Sequence, residues 1–352
     1  SVQYFYDQTP QSIGNINEVQ SSDGVRYYYT YDEYGRIESE SELVNGETLS
    51  FNYFYNQNGQ LSKLIYPNNF SIKQEYNDYG YLNKIIDVCS GEIIYEIHQS
   101  DLYGRPTEYY YGNNVTTYRD FNPVNKIISN IRVNSQYYGN SDIFNFTYST
   151  CPIMHIIDGR KDNLRNLQEF FLYDNYKRLT EVIGVEQTPS AYFNYSSCGN
   201  ILETNEAVYS YGNNTSNHAV TALQLKSSSS ISTIPQTIEY TPFNKVSKIL
   251  EGDFEYILKY GPDNSRKESQ LFDNGILLKT KRYMKSFEKL SDDDGIKENS
   301  YIFAPTGLIA IHQKMDSINE QLYYVHTDNL GSILGLTDEI GTIVPGSINS
   351  FD

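Results

Sequence analysis

A single motif returns along this chain every 20 to 27 residues. Residues 27–37 read YYYTYDEYGRI, 51–61 read FNYFYNQNGQL and 72–82 read IKQEYNDYGYL. Residues 170–179 read FFLYDNYKRL, 191–201 read AYFNYSSCGNI and 236–246 read QTIEYTPFNKV. Each copy has an alternating apolar lead-in and an aromatic anchor. Four residues on comes a Gly, Asn or Lys, then a polar residue and an aliphatic. The anchors are Tyr31, Tyr55, Tyr76, Ser100, Phe121, a degenerate Tyr148, Tyr173, Tyr195, Tyr240 and Tyr260. The gap between Tyr195 and Tyr240 spans two periods and hides a degraded copy within 205–235. About eleven copies cover residues 27–266. A period of this size marks a stacked array, in which no unit buries its apolar face alone.

The period inside the unit sets what it builds. Tyr27, Tyr29 and Tyr31 alternate with Tyr28 and Thr30, and Phe51, Tyr53 and Tyr55 alternate with Asn52 and Phe54. A period of two is a β-strand, and Tyr, Phe, Ile and Thr suit a pleated surface. After each anchor comes turn chemistry ending in a residue that tolerates positive φ. Gly35, Gly59, Gly80, Gly104 and Gly199 hold that place, Asn125 and Asn244 replace Gly in two copies, and Lys177 is a departure. A second run follows, as at Leu61–Tyr66, Leu82–Asp87, Leu179–Val185 and Val246–Leu250, with looser alternation that implies two half-covered faces or a bulge. Asn45-Gly46, Pro67-Asn68-Asn69, Ser90-Gly91 and Gly112-Asn113 close the units. The best helical stretch, Lys161–Phe171, is short and doubles as a lead-in, so no helix is expected. The expected fold is all-β, a repetitive antiparallel hairpin ribbon forming a curved, open sheet. Cross-strand pairing of tyrosine rings is the expected glue. Arg36, Arg105 and Arg178 either lie over neighbouring rings or stand free in solvent.

Composition narrows the function classes. The chain has 27 basic and 44 acidic residues, a net charge of −17. Without a Lys/Arg cluster it lacks the basic footprint that nucleic acid requires. Hydrophobic residues make up only 39%, but 35 Tyr and 16 Phe argue against disorder, since disordered chains are poor in aromatics. No run approaches the ~18 apolar residues of a membrane span. Cys89, Cys151 and Cys198 are far apart and make neither a disulfide framework nor a zinc site. They are expected as buried or half-buried free thiols. The chain opens on Ser1 with strand-like SVQYFYDQ and no signal peptide, and it reads as a piece of something longer.

These residues resemble the YD repeat of Rhs proteins. YTYDEYGRI at 29–37 and DLYGRPTE at 101–108 are close to its consensus, and NHAVTAL at 217–223 looks like a segment found near the end of such arrays. YIFAPTGLIAI at 301–311 and YYVHTDNLGSILGLTDEIGTIV at 323–344 resemble the Rhs-associated core. The likeness runs from about residue 4 to 352, with the array at 1–266 and a core-like, truncated tail at 267–352. The resemblance implies a portion of a hollow YD-repeat β-shell that encapsulates or displays a C-terminal toxin or effector polypeptide. Toxin-complex subunits use such a shell, and teneurins use a similar one for adhesion. It implies a secreted or cell-surface, extracellular bacterial protein. Its partners would be the C-terminal toxin or the remaining shell sequence. An adhesive or carbohydrate-binding surface protein, with a glycan or protein partner, is the alternative. The family's self-cleavage segment is not matched: the sequence ends at Ser350-Phe351-Asp352 and has no Asp-Pro pair, so no catalytic residue is carried over.

The chain's own residues point to no enzyme. His326, Asp328 and Ser332 are close in sequence, but a triad is defined by geometry, and strand-end or turn hydrogen bonding is the expected role. Asp292-Asp293-Asp294-Gly295 lacks calcium-loop spacing, and His98, His155, His218 and His312 form no ligand pattern. No catalytic, cofactor-binding or metal residue is expected. The positions expected to matter are the structural repeat residues Tyr31, Gly35, Tyr55, Gly59, Tyr76, Gly80, Gly104, Tyr173, Tyr195, Gly199, Tyr240 and Tyr260. With positive φ at position 35, Gly35→Val is expected to destabilise by about 1–2 kcal/mol in chemical denaturation, and a neutral result would contradict the turn.

Overall fold

The computed structural model describes residues 1–184, 189–212, 218, 220–227, 229–315 and 319–349. Val185, Asn217 and Ala219 of the NHAVTAL segment, and Ser350-Phe351-Asp352 lie outside the described residues. The described residues form antiparallel strands with no α-helix, only 3-10 turns at Pro10–Ser12 and Gln136–Tyr138. Lys161–Phe171 falls in the hairpin of Ile156–Asp162 with Leu167–Tyr173. Within each sheet, strands pair with their neighbours in sequence. One sheet of 20 strands runs from Val2–Tyr6 to Val220–Leu225, and one of 10 runs from Gln236–Tyr240 to Ile333–Thr337. Neither closes into a barrel. The fold is a curved, open ribbon of hairpins, as the periodicity predicts.

Two kinds of turn alternate and form two rims. Turns that follow the anchors make the anchor rim. Turns such as Asn45-Gly46 make the return rim. At the anchor rim the ladder between successive hairpins stops early. Strand Ile37–Val44 pairs with Glu47–Tyr55 only from Ser39 opposite Asn52, so the Ile37 carbonyl loses its ladder partner. The Tyr55 hydroxyl donates to that carbonyl at 2.8 Å. The same bond recurs from Tyr31 to Ile16 (2.6 Å), Tyr76 to Leu61 (2.8 Å), Tyr173 to Ile157 (2.9 Å), Tyr195 to Leu179 (2.8 Å) and Tyr260 to Val246 (2.7 Å). Each of these six tyrosines therefore satisfies a carbonyl freed where hairpins splay. At the anchor rim, phenol-to-carbonyl bonds join the units, a link that the expected ring pairing does not include.

The anchor turn is built by its first residue. Asp32 Oδ1 accepts from the backbone N–H of Tyr34 (2.9 Å) and Arg36 (3.0 Å), while Arg36 Nε donates to Oδ2 at 2.7 Å. Asp101 with Arg105 and Asp174 with Arg178 repeat this clamp. Desolvation of these carboxyls is outweighed by the arginine and the turn N–H groups, which hold them below the usual carboxylate range. Each guanidinium then lies over the anchor ring of the next unit: Arg36 at 4.4 Å from Tyr55, Arg105 at 3.7 Å from Phe121 and Arg178 at 4.6 Å from Tyr195. Of the two readings for these arginines, stacking holds, worth about 0.5–1 kcal/mol each.

The fourth turn position has φ of +74° at Gly35, +78° at Gly59, +84° at Gly80, +76° at Gly104 and +91° at Gly199. Asn244 and Lys177 hold the same left-handed conformation. Asn125 does not. That turn is one residue longer, and Lys126 takes the positive φ, with its N–H on the Asn122 carbonyl. The degenerate copy is also shifted from Tyr148. The turn closes from His155 N–H to the Cys151 carbonyl, and the bulge that elsewhere precedes the anchor lies between Ser149 and Thr150. Thr150 thus stands at the anchor, and Tyr148 is buried two residues earlier. The hidden copy within 205–235 is anchored by Tyr211, whose hydroxyl donates to the Ile201 carbonyl at 2.7 Å. Loose alternation in the second runs has both expected causes. Leu61–Ile65 and Val246–Glu251 are half-buried on both faces, and a register shift marks each anchor. Cys89 and Cys198 are exposed rather than buried, because they sit in turns; Cys151 is half-buried.

Tyr55→Phe keeps the ring under Arg36 but orphans the Ile37 carbonyl. It is expected to cost about 1–2 kcal/mol, read as a lower urea midpoint with unchanged slope.

Candidate functional site

The second sheet overlaps the first at the return rim, and most of the buried apolar residues lie between them. Phe51, Tyr66, Phe70, Ile72, Tyr95, Tyr111, Val133 and Phe144 of the first sheet form one cluster with Met284, Phe287, Ile302, Ile309, Tyr324 and Leu334 of the second. Tyr95, Tyr109 and Tyr111 pack with ring centroids 5.4–6.2 Å apart, and Tyr324 joins edge-on to Tyr111 at 5.8 Å. Cross-strand tyrosine ring pairing, the expected glue, occurs here, with Tyr111 directly opposite Tyr95. Buried hydroxyls cross the joint: Tyr66 donates to the Tyr301 carbonyl at 3.1 Å and Tyr111 to that of Val325 at 3.0 Å. Asn113 donates to Thr337 Oγ1 and to the Asp338 carbonyl, and Ser135 to the Gly341 carbonyl.

At the hairpin end around Asn45-Gly46 the joint is ionic. Buried Lys267 reaches buried Glu42 at 2.7 Å, and Asp263 accepts from Tyr27 Oη at 2.7 Å. Arg282 donates to the Val44 carbonyl at 2.8 Å and faces Glu47 at 3.3 Å. Lys289 pairs with Glu47, and Lys285 with Glu40. Burial pushes the Glu42 carboxyl up against the pull of Lys267, pushes Glu268 up against Arg282, and lowers Arg282. A lone charge left here would be costly, so partners must be matched. Gly261 is required sterically, since a Cβ there would lie 1.8 Å from Tyr27 Oη.

The residues weighed for chemistry take structural roles. His326 Nε2 lies 2.9 Å from Thr337 Oγ1, and its ring packs between Tyr111 and Phe144. Asp328 caps a turn, accepting from Leu330 and Ser332 N–H, both at 2.8 Å. Asp328 and Ser332 thus close one turn through backbone bonds, while the His326 ring is held apart from them by Thr337. His312 stacks on Phe70 at 3.9 Å, with Glu320 3.4 Å from Nε2. His98 pairs with Glu108 across a hairpin and His155 sits in a turn. No cluster of metal-ligating side chains occurs among the described residues. Asp292–Gly295 is an exposed turn at the return rim of the second sheet.

Repeat chemistry also runs into the tail. Asp328 to Gly331 and Asp338 to Gly341 are anchor-type turns, with φ of +89° at Gly331 and +83° at Gly341. The D-x-x-G spacing was the signal for them, obscured because Thr327 stands at the anchor. Tyr240 ends Gln236–Tyr240, the edge strand of the second sheet, where no earlier strand stands beside it. Tyr6 ends the other edge strand and carries the same bulge.

No family model and no curated protein matches the chain. Its fold is similar to that of toxin-complex chains. The crystal structure of TcdB2-TccC3-Cdc42 aligns with a TM-score of 0.78 at 13% identity, over 98% of this chain and 21% of that one. TcdB2-TccC3 aligns at 0.76 and 13%, over 98% and 22%. The Photorhabdus luminescens Tc holotoxin pore aligns at 0.77 and 12%, over 98% and 21%. This chain spans about a fifth of those chains' length. The architecture is therefore a curved portion of a toxin-complex type β-shell.

Burial drives the His326 pKa from its ordinary 6.5 to about 3. His326 stays neutral in the fold and takes a proton on unfolding. Its contribution is full above pH ~6.5 and is lost as pH falls toward ~3, on the order of a few kcal/mol. His326→Gln is expected to flatten that part of the stability–pH curve; an unchanged slope would refute this.

Proposed function

We propose that the chain is a wall segment of an Rhs-type shell that encapsulates or displays a toxin or effector polypeptide. The observation that carries this is the alignment of nearly the whole chain with part of toxin-complex shells. The physics is compatible with a wall. Strands such as Leu61–Ile65 and Leu179–Ile183 are half-buried throughout, as expected of a sheet that meets water on both sides. The reading gives the chain no chemistry of its own. The wall separates an unfolded or toxic segment from the producing cell. The chain would act outside a bacterial cell, with the cargo segment and further shell as partners.

Adhesion or glycan binding is favoured by one observation: Tyr34, Tyr79, Tyr103 and Tyr176 stand exposed in a row on the anchor rim. Binding on a glycan array, abolished by Tyr79→Ala with Tyr103→Ala, would support it over the wall reading.

In the natural polypeptide, limited proteolysis is expected to spare the cargo segment until the wall itself unfolds. Rapid cargo digestion with the wall intact would overturn the encapsulation reading.

A further inference from the structure

Beside the ionic end of the joint, the first strands of the first sheet carry a cleft walled by tyrosine. Val2–Tyr6 and Arg26–Tyr31 flank Ile16–Ser21, with Tyr4 opposite Val19 and Val19 opposite Tyr27. Strand alternation puts Tyr29 and Tyr31 on the face that Tyr27 shares. Tyr6 lies opposite Ile16, across a register shift. The turn after Tyr260 closes the cleft from above with Asp263. Tyr4, Tyr6, Tyr27, Tyr29, Tyr31 and Asp263 bound about 430 Å³, within the roughly 300–1,000 Å³ of small-ligand sites. Tyr27 is 5% exposed and forms the floor, while Tyr4 and Tyr6 are each 52% exposed and form the mouth.

Two features decide what this cleft can hold. The first is that the same face already holds ammonium groups between a tyrosine ring and a carboxylate. Lys267 Nζ lies 4.9 Å from the centre of the Tyr27 ring and 2.7 Å from Glu42. Lys285 Nζ lies 5.3 Å from the centre of the Tyr53 ring and pairs with Glu40. The second feature is charge. Asp263 Oδ1 accepts from Tyr27 Oη at 2.7 Å and from the Ser265 N–H at 3.0 Å, and Oδ2 accepts from Ser265 Oγ at 2.7 Å. Its acceptor sites are largely taken, but its charge is not. Lys267, 3.7 Å away, is claimed by Glu42 at 2.7 Å, so Glu42, Asp263 and Lys267 together keep one negative charge. Burial alone would raise the Asp263 carboxyl, but the Tyr27 hydroxyl, Ser265 and Lys267 outweigh it and hold the group below its usual range. A carboxylate that offers charge more than acceptor sites, among electron-rich ring faces, suits a cation with no N–H to donate.

We propose that this cleft binds a small, free organic cation bearing a quaternary ammonium group, of the choline class, held against the rings of Tyr4, Tyr6 and Tyr29 with Asp263 as its counter-charge. The site is separate from the exposed tyrosines of the anchor rim and does not depend on the wall reading. A sugar would need free donors and acceptors along the cleft, and Asp263 has few to give. Tyr27 and Tyr31 are fixed by hydroxyl bonds to Asp263 and to the Ile16 carbonyl, so those walls are set before a ligand arrives.

The test is equilibrium dialysis of the purified chain against isotope-labelled choline. Saturable binding is expected, weakened by added salt. The neutral isostere of choline, with carbon in place of the quaternary nitrogen, should compete about tenfold more weakly, since it lacks the charge that the rings and Asp263 attract. Tyr4→Ala, on an edge strand, should weaken choline binding by roughly threefold, and Tyr4→Phe should retain it, because the ring face makes the contact. Asp263→Asn keeps an acceptor for Tyr27 and should weaken binding by about tenfold. Circular dichroism of each variant checks its strand content, and Tyr4→Ala tests the site without touching the ionic joint. No saturable binding at millimolar choline, equal competition by the neutral isostere, or unchanged affinity in Tyr4→Ala would overturn the proposal. Retention of the chain on phosphatidylcholine vesicles through Tyr4, without binding of free choline, would move the site to a lipid headgroup and overturn it as well.

Discussion

The fold depends on a hydrogen bond that replaces a missing one. Where two hairpins splay at the anchor rim, a strand-opening carbonyl loses its neighbour, and a tyrosine hydroxyl from the next strand takes the vacancy. A flat ladder would need no such device. A curved ribbon does, because curvature opens the ladder on one rim while the other stays paired. The ring supplies burial and a surface for the preceding arginine, and the hydroxyl supplies the bond. Phenylalanine supplies the first two only. At Phe121 the guanidinium of Arg105 approaches more closely than in the tyrosine copies, at 3.7 Å against 4.4 and 4.6 Å.

The same local chemistry explains why the repeat is loose in sequence yet regular in space. Asp32, Asp101 and Asp174 build the turn through their own carboxylates, so the two residues between clamp and glycine are unconstrained. Asn56 does so with an amide, its Oδ1 accepting from Asn58 and Gln60 N–H. An acceptor at the first turn position recurs without being obligatory, since Gly261 opens the turn after Tyr260, where Asn264 still takes the positive φ of the fourth position. Lys177 takes that φ at a steric cost of about 1–2 kcal/mol, with its ammonium held on the Met154 carbonyl at 3.0 Å.

Much of this was legible in the sequence, because it is local. Alternation marked the strands, and D-x-x-G marked the turns. The anchors Tyr31, Tyr55 and Tyr76 fall at matching strand ends. The pattern misleads where the turn gains a residue, so that Lys126 and not Asn125 takes the positive φ, and where a polar residue takes the anchor, shifting one copy to Thr150 and hiding the one at Thr327. The sheet joint was illegible for another reason. It pairs residues more than 200 positions apart, such as Glu42 with Lys267 and Tyr111 with Val325, and no period inside a unit encodes which unit meets which. Tyr95 and Tyr109 look like any other strand tyrosine, and only the overlap of two layers makes them core.

That overlap settles why buried charge sits where it does. Repeated hairpins are nearly interchangeable, so an apolar joint alone could slip by one unit and bury a similar area. Lys267 between Glu42 and Asp263, and Arg282 on the Val44 carbonyl beside Glu47, match at one register only. A slip of one hairpin would bury each charge without its partner, a loss of several kcal/mol per group. Apolar contact holds the layers together and the ion pairs choose the register. The ionic contacts gather at the hairpin around Asn45-Gly46, and the tyrosine cluster then extends the joint in the register they select.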